Sequence, residues 1–328
     1  MIYHSLPILS LLLASALLTA SPPSVSAQSS APVDSTAALN NALNTASNKA
    51  AGSTVPGSNS SAAASLTWTA SLLSATGVDQ EVINARGSRL GALLIAPTNY
   101  AWQQLFEVLE RANAKQPAAS WTGVFVGYPS ITPATLLSAA TSITTTTTTT
   151  TTGSSSSSSS SGASFASTFT NFSAPLDLTA LTPDGRSALR GVLLLHLTSA
   201  YYVESQLRAM ASPNASNAAP QHGHVYAVST NQTIQIHTES DNSLVFRMPA
   251  NANTPVGVSP YTAYAVTAAA TVLPGLTDAV ADGKLAVQGV DHVLLPPIGP
   301  ANAGGRALQL HLQVVIYIAG FTLAFLFI

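Results

Sequence analysis

His196, followed closely by Tyr201 and Tyr202, is one grouping in this chain whose side chains could do chemistry. An imidazole near two phenols offers hydrogen bonds and aromatic surface to a partner, so His196, Tyr201 and Tyr202 are candidate adhesive contacts. The plainer reading of this histidine is a half-buried ring, hydrogen-bonded near the junction around Thr98 and Asn99. A second grouping is His222-Gly223-His224, with His237 or Asp241 further on. Zinc needs three or four ligands at defined positions, and this pair lacks a firm third, so no metal is expected. The third is Asp291-His292, an acid–base pair by composition. No Gly-x-Ser-x-Gly elbow or oxyanion loop accompanies it, and the chain contains no Gly-rich phosphate loop. Zero cysteines remove thiolate catalysis, cysteine-ligated zinc and disulfides. The expectation is a protein with no enzymatic activity, cofactor or metal.

The elements that must position these residues are legible from periodicity and punctuation. Leu90 to Ala96 reads as a buried strand ended by Pro97, and Thr98 caps the helix after it. In that helix Trp102, Leu105, Phe106 and Leu109 share one face. Ser71 to Gly87 reads as two short helices stopped by Gly77 and Gly87. Thr182 and Pro183 open a helix with Leu189, Val192, Leu193 and His196 or Leu197 on one side. From His224 to Met248 two or three strands alternate around a turn at Ser240-Asp241-Asn242. A small-residue strand, a short excursion, and strands near Lys284 to Val287 and Val290 to Leu295 complete an α+β pattern.

The 328 residues carry a net charge of -2 with only 7% charged side chains, which excludes nucleic acid as a partner. Residues 1–27 read as a signal peptide: the apolar run Leu6 to Ala20 precedes the small residues Val25-Ser26-Ala27. Residues 28–64, poor in large apolar side chains, are expected to form a flexible extracellular stalk. The folded domain is placed at 65–298, interrupted at about 112–174 by a low-complexity insertion holding Thr144 to Thr152 and Ser154 to Ser161. Within it, 121–132 reads as a small hairpin or docking flap. Sequons mark Asn59, Asn171, Asn214 and Asn231 for N-glycosylation, and the hydroxyl tracts are candidates for O-glycosylation. Residues 299–313 read as a linker and anchor-attachment region with Asn302 as the attachment residue, and 314–328 as an apolar tail. As a helix that tail spans ~22 Å, short of a ~30 Å hydrocarbon core. A glycosylphosphatidylinositol (GPI) anchor is favoured; the alternative is a C-terminal span starting near Leu308, with Gln309, His311 and Gln313 inside it.

Three segments together resemble the fasciclin-type (FAS1) family. They are LLIAPTNYAWQQL (Leu93 to Leu105), LLLHLTSAYYVESQL (Leu193 to Leu207) and LAVQGVDHVLLPP (Leu285 to Pro297), in the family's order. Two positions depart from it: Tyr100 stands where relatives usually carry Glu, and Leu195 replaces the Tyr of a Tyr-His pair. The resemblance implies a single FAS1-like domain, a wedge-shaped β-sandwich of mostly antiparallel strands with several short helices, flanked by disordered Ser/Thr/Ala-rich segments. It further implies a non-enzymatic glycoprotein, similar to GPI-anchored fasciclin-like proteins of plants and algae, held at the outer leaflet or in the cell wall. Adhesion to surface or matrix glycoproteins, to polysaccharides or to copies of itself is the implied role. The alternatives are a wall glycoprotein whose Thr/Ser tracts carry the role and, less favoured, an enzyme or small-ligand carrier with a cleft near His196.

Overall fold

In the computed structural model the described residues are 35–49, 55, 58, 60–121, 123–125, 127–128, 131–145, 172–211, 223–228, 232–248, 269–296 and 298–299. The expected signal peptide, the four sequon asparagines, Asn302, the tail and His222 lie outside them. In chain order the elements are α1 (Ser35–Lys49), α2 (Thr67–Thr76), α3 (Val78–Gly87), β1 (Ala92–Pro97), α4 (Asn99–Lys115), β2 (Val124–Phe125) and α5 (Pro133–Ser142). Then come β3 (Thr144–Thr145), β4 (Leu176–Asp177), α6 (Pro183–Leu195), β5 (Leu197–Thr198), α7 (Glu204–Ala211), β6 (His224–Tyr226) and β7 (Thr233–Thr238). The chain continues through β8 (Leu244–Arg247), β9 (Ala269–Thr271), β10 (Val280–Ala281), β11 (Leu285–Val290) and β12 (Ile298–Gly299).

Strand β1 is buried along its whole length, and its alternation explains the layering. Leu93 and Ile95 join one apolar cluster with Val225, Ile234 and Phe246; Leu94 and Ala96 join the other with Trp102, Phe106 and Leu189. Side chains alternate across a strand, so a strand apolar on both faces must be covered on both. Helices cover one face of its sheet and a second sheet covers the other. The first sheet has the order β10-β11-β1-β5, with β1 and β11 parallel from Ala92 opposite Leu285 to Pro97 opposite Val290. The second, β6-β7-β8-β9, is antiparallel throughout. Isolated bridges, Thr198 to Ala227 and Val272 to Val290, join the two sheets at opposite margins. The architecture is α+β.

Local chemistry sets the element ends. Thr98 accepts from the Ala101 N–H at 3.3 Å and Thr182 from the Gly185 N–H at 3.1 Å, each satisfying a first-turn donor that the helix itself leaves unpaired. Gly91 admits the chain to β1 with φ +73°, and a Cβ there would lie 2.5 Å from the Lys284 carbonyl oxygen and 2.9 Å from Tyr201 Cβ. Gly91→Ala is therefore expected to cost about 2 kcal/mol, lowering the urea midpoint at unchanged slope. An unchanged midpoint would mean that the turn relaxes freely.

Three expectations differ from what the structure shows. The segment expected as stalk contains α1, which buries Leu39, Leu43 and Ala46 against the helical layer. Its Ser47 hydroxyl accepts from the Leu66 N–H at 2.8 Å and donates to the Leu43 carbonyl at 2.9 Å. Two leucines and an alanine suffice here because they fall on one helical stripe. The insertion expected at about 112–174 is in large part core: Phe125, Ile131, Leu136, Ile143 and Phe172 are buried, and α5 packs on α6. Residues 121–132, expected as a small hairpin or docking flap, do turn back on themselves, with Phe125 in an antiparallel bridge to Tyr128 and its N–H donating to the Ile131 carbonyl at 2.9 Å, and β2 also pairs with β12. A Cβ on Gly191 of α6 would meet Ile131 at 2.0 Å, so this stretch sits directly on the helix. Strand β1 also starts later than its sequence suggests, leaving Leu90 67% exposed.

Candidate functional site

His196 caps the C-terminal end of α6 and is wholly buried. Its Nε2 lies 2.9 Å from the Leu294 backbone nitrogen, and its Nδ1 lies 2.7 Å from the Val192 carbonyl oxygen. A backbone N–H can only donate, so Nε2 must be the bare nitrogen; Nδ1 then carries the proton and donates to Val192. Burial pushes the pKa down to about 4, against a smaller opposing effect of the Val192 bond, and the ring is neutral near pH 7. The His196 carbonyl in turn accepts from the Ile95 N–H at 2.9 Å. One residue thus joins α6, β1 and the stretch after β11.

That placement corrects two expectations. The ring is fully rather than half buried, and its partners are Val192 and Leu294 rather than groups around Thr98 and Asn99. A ring with no exposed surface and both nitrogens engaged has nothing to offer an external partner, so His196 is not an adhesive contact. Tyr201 and Tyr202 keep part of their surface and pack against the inter-sheet cluster. The Tyr201 N–H donates to the Leu90 carbonyl at 2.9 Å.

Asn99 carries the polar joint at the other end of β1, a role its sequence position did not reveal. It is fully buried, and its Oδ1 accepts from the Trp68 N–H at 3.0 Å. Its Nδ2 donates to Thr67 Oγ1 at 3.0 Å and to the Phe172 carbonyl at 2.9 Å. The side chain therefore caps α2 from a distant part of the chain and ties Phe172, which lies beyond the Ser154 to Ser161 run, to the core. Beside it, Thr69 donates to the Pro97 carbonyl and accepts from Trp102 Nε1 at 2.8 Å. Trp68 Nε1 donates to the Ala174 carbonyl at 3.0 Å. These buried polar groups are satisfied within the network, as the cost of burying them requires.

The remaining sequence candidates are dispersed. His224 stands opposite Gln235 across β6 and β7, and exposed His237 lies 3.5 Å from the Gln235 side chain. Among the described residues no three His, Cys, Asp or Glu side chains come together. Asp291 lies 2.9 Å from His292 Nδ1 and accepts the Thr271 N–H at 2.7 Å, fastening β9 beside the end of β11. Asp291 also lines a cleft of about 500 Å³ with Glu204, Arg208, Asp241 and Asn242. Arg208 is already held there by Glu204 at 2.6 Å and the Asn242 carbonyl at 2.7 Å. Burial, then Glu107 and Asp291, raise the Tyr100 phenol above its ordinary value, so it stays protonated. No helix among the described residues is long and apolar enough to cross a membrane.

No family model and no curated protein matches this chain. A solved structure does resemble it. That structure is a FAS1 domain pair from the insect cell adhesion molecule Fasciclin I, at 15% sequence identity and a TM-score of 0.32. The alignment covers 70% of this chain and 45% of that one, so this chain spans less than half the length of the protein it resembles.

Proposed function

We propose that this chain is a FAS1-like adhesion module, displayed outside the cell on a GPI anchor and acting without catalysis. The observation that carries the reading is internal. The three segments with FAS1 character meet in one place: β1 pairs with β11 on one side and β5 on the other, and His196 bonds to Leu294. Their sequence likeness is thus the likeness of a single packing unit. Weak contacts to matrix glycans or surface proteins suffice for adhesion when many anchored copies make each further contact nearly intramolecular. Two acyl chains supply the durable hold that one does not.

A second reading has one observation in its favour. Strands β3 and β4 pair Thr145 with Leu176, so the longer segment that carries the Thr/Ser tract begins and ends at one clasp. A glycosylated tract fixed this way would act as a projecting wall element, with the module as its base. Deleting Thr146 to Ser161 separates the readings when non-adherent cells display each form. Under the adhesive reading aggregation survives the deletion; its loss with folding intact would favour the wall element. Failure of the full-length protein to aggregate cells at all would overturn adhesion. Release of the protein from producing cells by phospholipase tests the anchor.

A further inference from the structure

The turn before β1 and the cleft beside α7 are two surface features of opposite character. In the turn, Leu90 is 67% exposed, more than any other large apolar side chain among the described residues. It stands on a pinned tip. The Gly91 N–H donates to Ser88 Oγ at 3.1 Å, and the Leu90 carbonyl accepts from the Tyr201 N–H at 2.9 Å. Lys284 Nζ donates to the Ser88 and Arg89 carbonyls, each at 3.3 Å. Exposed Arg89 has no ion-pair partner among the described residues, whereas neighbouring Arg86 is paired with Asp282. The cleft, of about 500 Å³, has a floor of buried Leu244, Val272 and Leu273. Of its carboxylates Glu204 is taken by Arg208, which leaves Asp241 and Asp291 in excess. Exposed Asp241 accepts the Ser243 N–H at 2.9 Å and pairs with no cation among the described residues.

We infer that the Arg89-Leu90 tip of one copy seats in this cleft on a second copy, with Leu90 over the apolar floor and Arg89 against Asp241. One exposed leucine is ordinary by itself. A rigid mount and an unpaired cation beside it make it an anchor that loses little freedom on seating. Such an anchor needs a receptor that is apolar within and acidic at its rim, and the cleft is built in that order. Charge selects the pairing: tip on tip or cleft on cleft would bring like charges together, and only tip on cleft joins opposites. The tip cannot fill the cleft of its own chain. It precedes Ala92 at one end of the parallel β1–β11 pair, whereas Asp291 follows Val290 at the other, a strand of six residues away at ~3.3 Å each. A contact between two different patches is head-to-tail, so copies join in rows rather than closed pairs. Rows supply the many weak contacts that adhesion by anchored copies requires. This inference rests on the adhesive reading for its setting and names a second copy as the partner.

The test is sedimentation of the intact protein purified from producing cells, at concentrations up to about 1 mM, the level that short tethers impose. The wild type is expected to form dimers and longer species as concentration rises, and added salt to weaken them. Leu90→Ser should weaken association about tenfold or more, the loss of one buried leucine. Arg89→Glu and Asp241→Arg should each stay monomeric, since each sets like charges against one another. Mixed together they should associate again, because the altered tip then meets the altered cleft and the unaltered tip the unaltered cleft. All three substitutions fall at exposed positions, so melting temperatures should not move. Recovery on mixing also shows that both charge variants are folded. A wild type that stays monomeric, variants that associate as it does, or a mixture that stays monomeric would overturn the inference. Cell aggregation reads the adhesive proposal separately. Aggregation that persists in Arg89→Glu rejects this contact and keeps adhesion, and rows in solution without aggregation reject adhesion alone. Aggregation lost in Arg89→Glu while the wild type stays monomeric would assign the tip to a different protein and reject the second copy.

Discussion

His196→Ala is expected to destabilise the fold by about 4 kcal/mol, because it opens a cavity and leaves two buried backbone groups without partners. Those groups are the Val192 carbonyl and the Leu294 N–H. His196→Phe refills most of the volume and restores neither bond, so it should recover only part of the loss. The same residue gives stability a defined pH dependence. In the unfolded chain the imidazole takes up a proton near pH 6.5; in the folded protein it does so only near 4. Between those values the unfolded state binds more protons, so this contribution is complete above pH 6.5 and disappears as the pH falls through 4. Its full size is about 3 kcal/mol, from ~1.4 kcal/mol per pH unit. Urea titrations across pH 4 to 7 should show that slope in the wild type and lack it in His196→Phe. Equal slopes in the two proteins would refute the assignment.

Asn99→Ala is expected to cost about 3 kcal/mol, since the buried Trp68 N–H and Phe172 carbonyl and the half-buried Thr67 hydroxyl lose a partner at once. The loss should be local as well as global. Hydrogen exchange at the Trp68 amide should accelerate, because its acceptor is Asn99 Oδ1. The Phe172 carbonyl is also released, which loosens the ring contacts of Phe172 with Trp68 and Tyr100 at 5.9 and 6.4 Å. Asn99→Asp keeps the acceptor and loses the donor, so it should protect the Trp68 amide while still freeing Phe172. Trp68 amide exchange as fast in Asn99→Asp as in Asn99→Ala would show that Asn99 does not act through its acceptor oxygen.

What was readable in the sequence was local punctuation. Thr98 and the Thr182-Pro183 start announced their helices, and the unbroken apolar run of β1 announced a strand buried on both faces. Thr132-Pro133 opens α5 with the same signal, but the surrounding Thr and Ser drew the segment into a presumed low-complexity block. Composition misled in α1 for a related reason: Leu39, Leu43 and Ala46 form a stripe that average hydrophobicity does not register. Long-range pairing was the unreadable part. The parallel register that sets Ala92 against Leu285 depends on everything folded between them, so Leu294 could not be named in advance as the partner of His196. Asn99 was hidden because its side chain serves a helix 31 residues upstream.

The clasp of Thr145 against Leu176 has a consequence for how this protein can diverge. Entry and exit lie side by side, so repeats added or lost within the Thr and Ser runs, before the buried Phe172, leave the paired ends where they are. Closing such a span becomes harder only logarithmically, by roughly 0.6 kcal/mol for each doubling. Copies of this chain can therefore drift widely in repeat number while their cores stay superimposable. Selection is left to act on the length and composition of the tract alone.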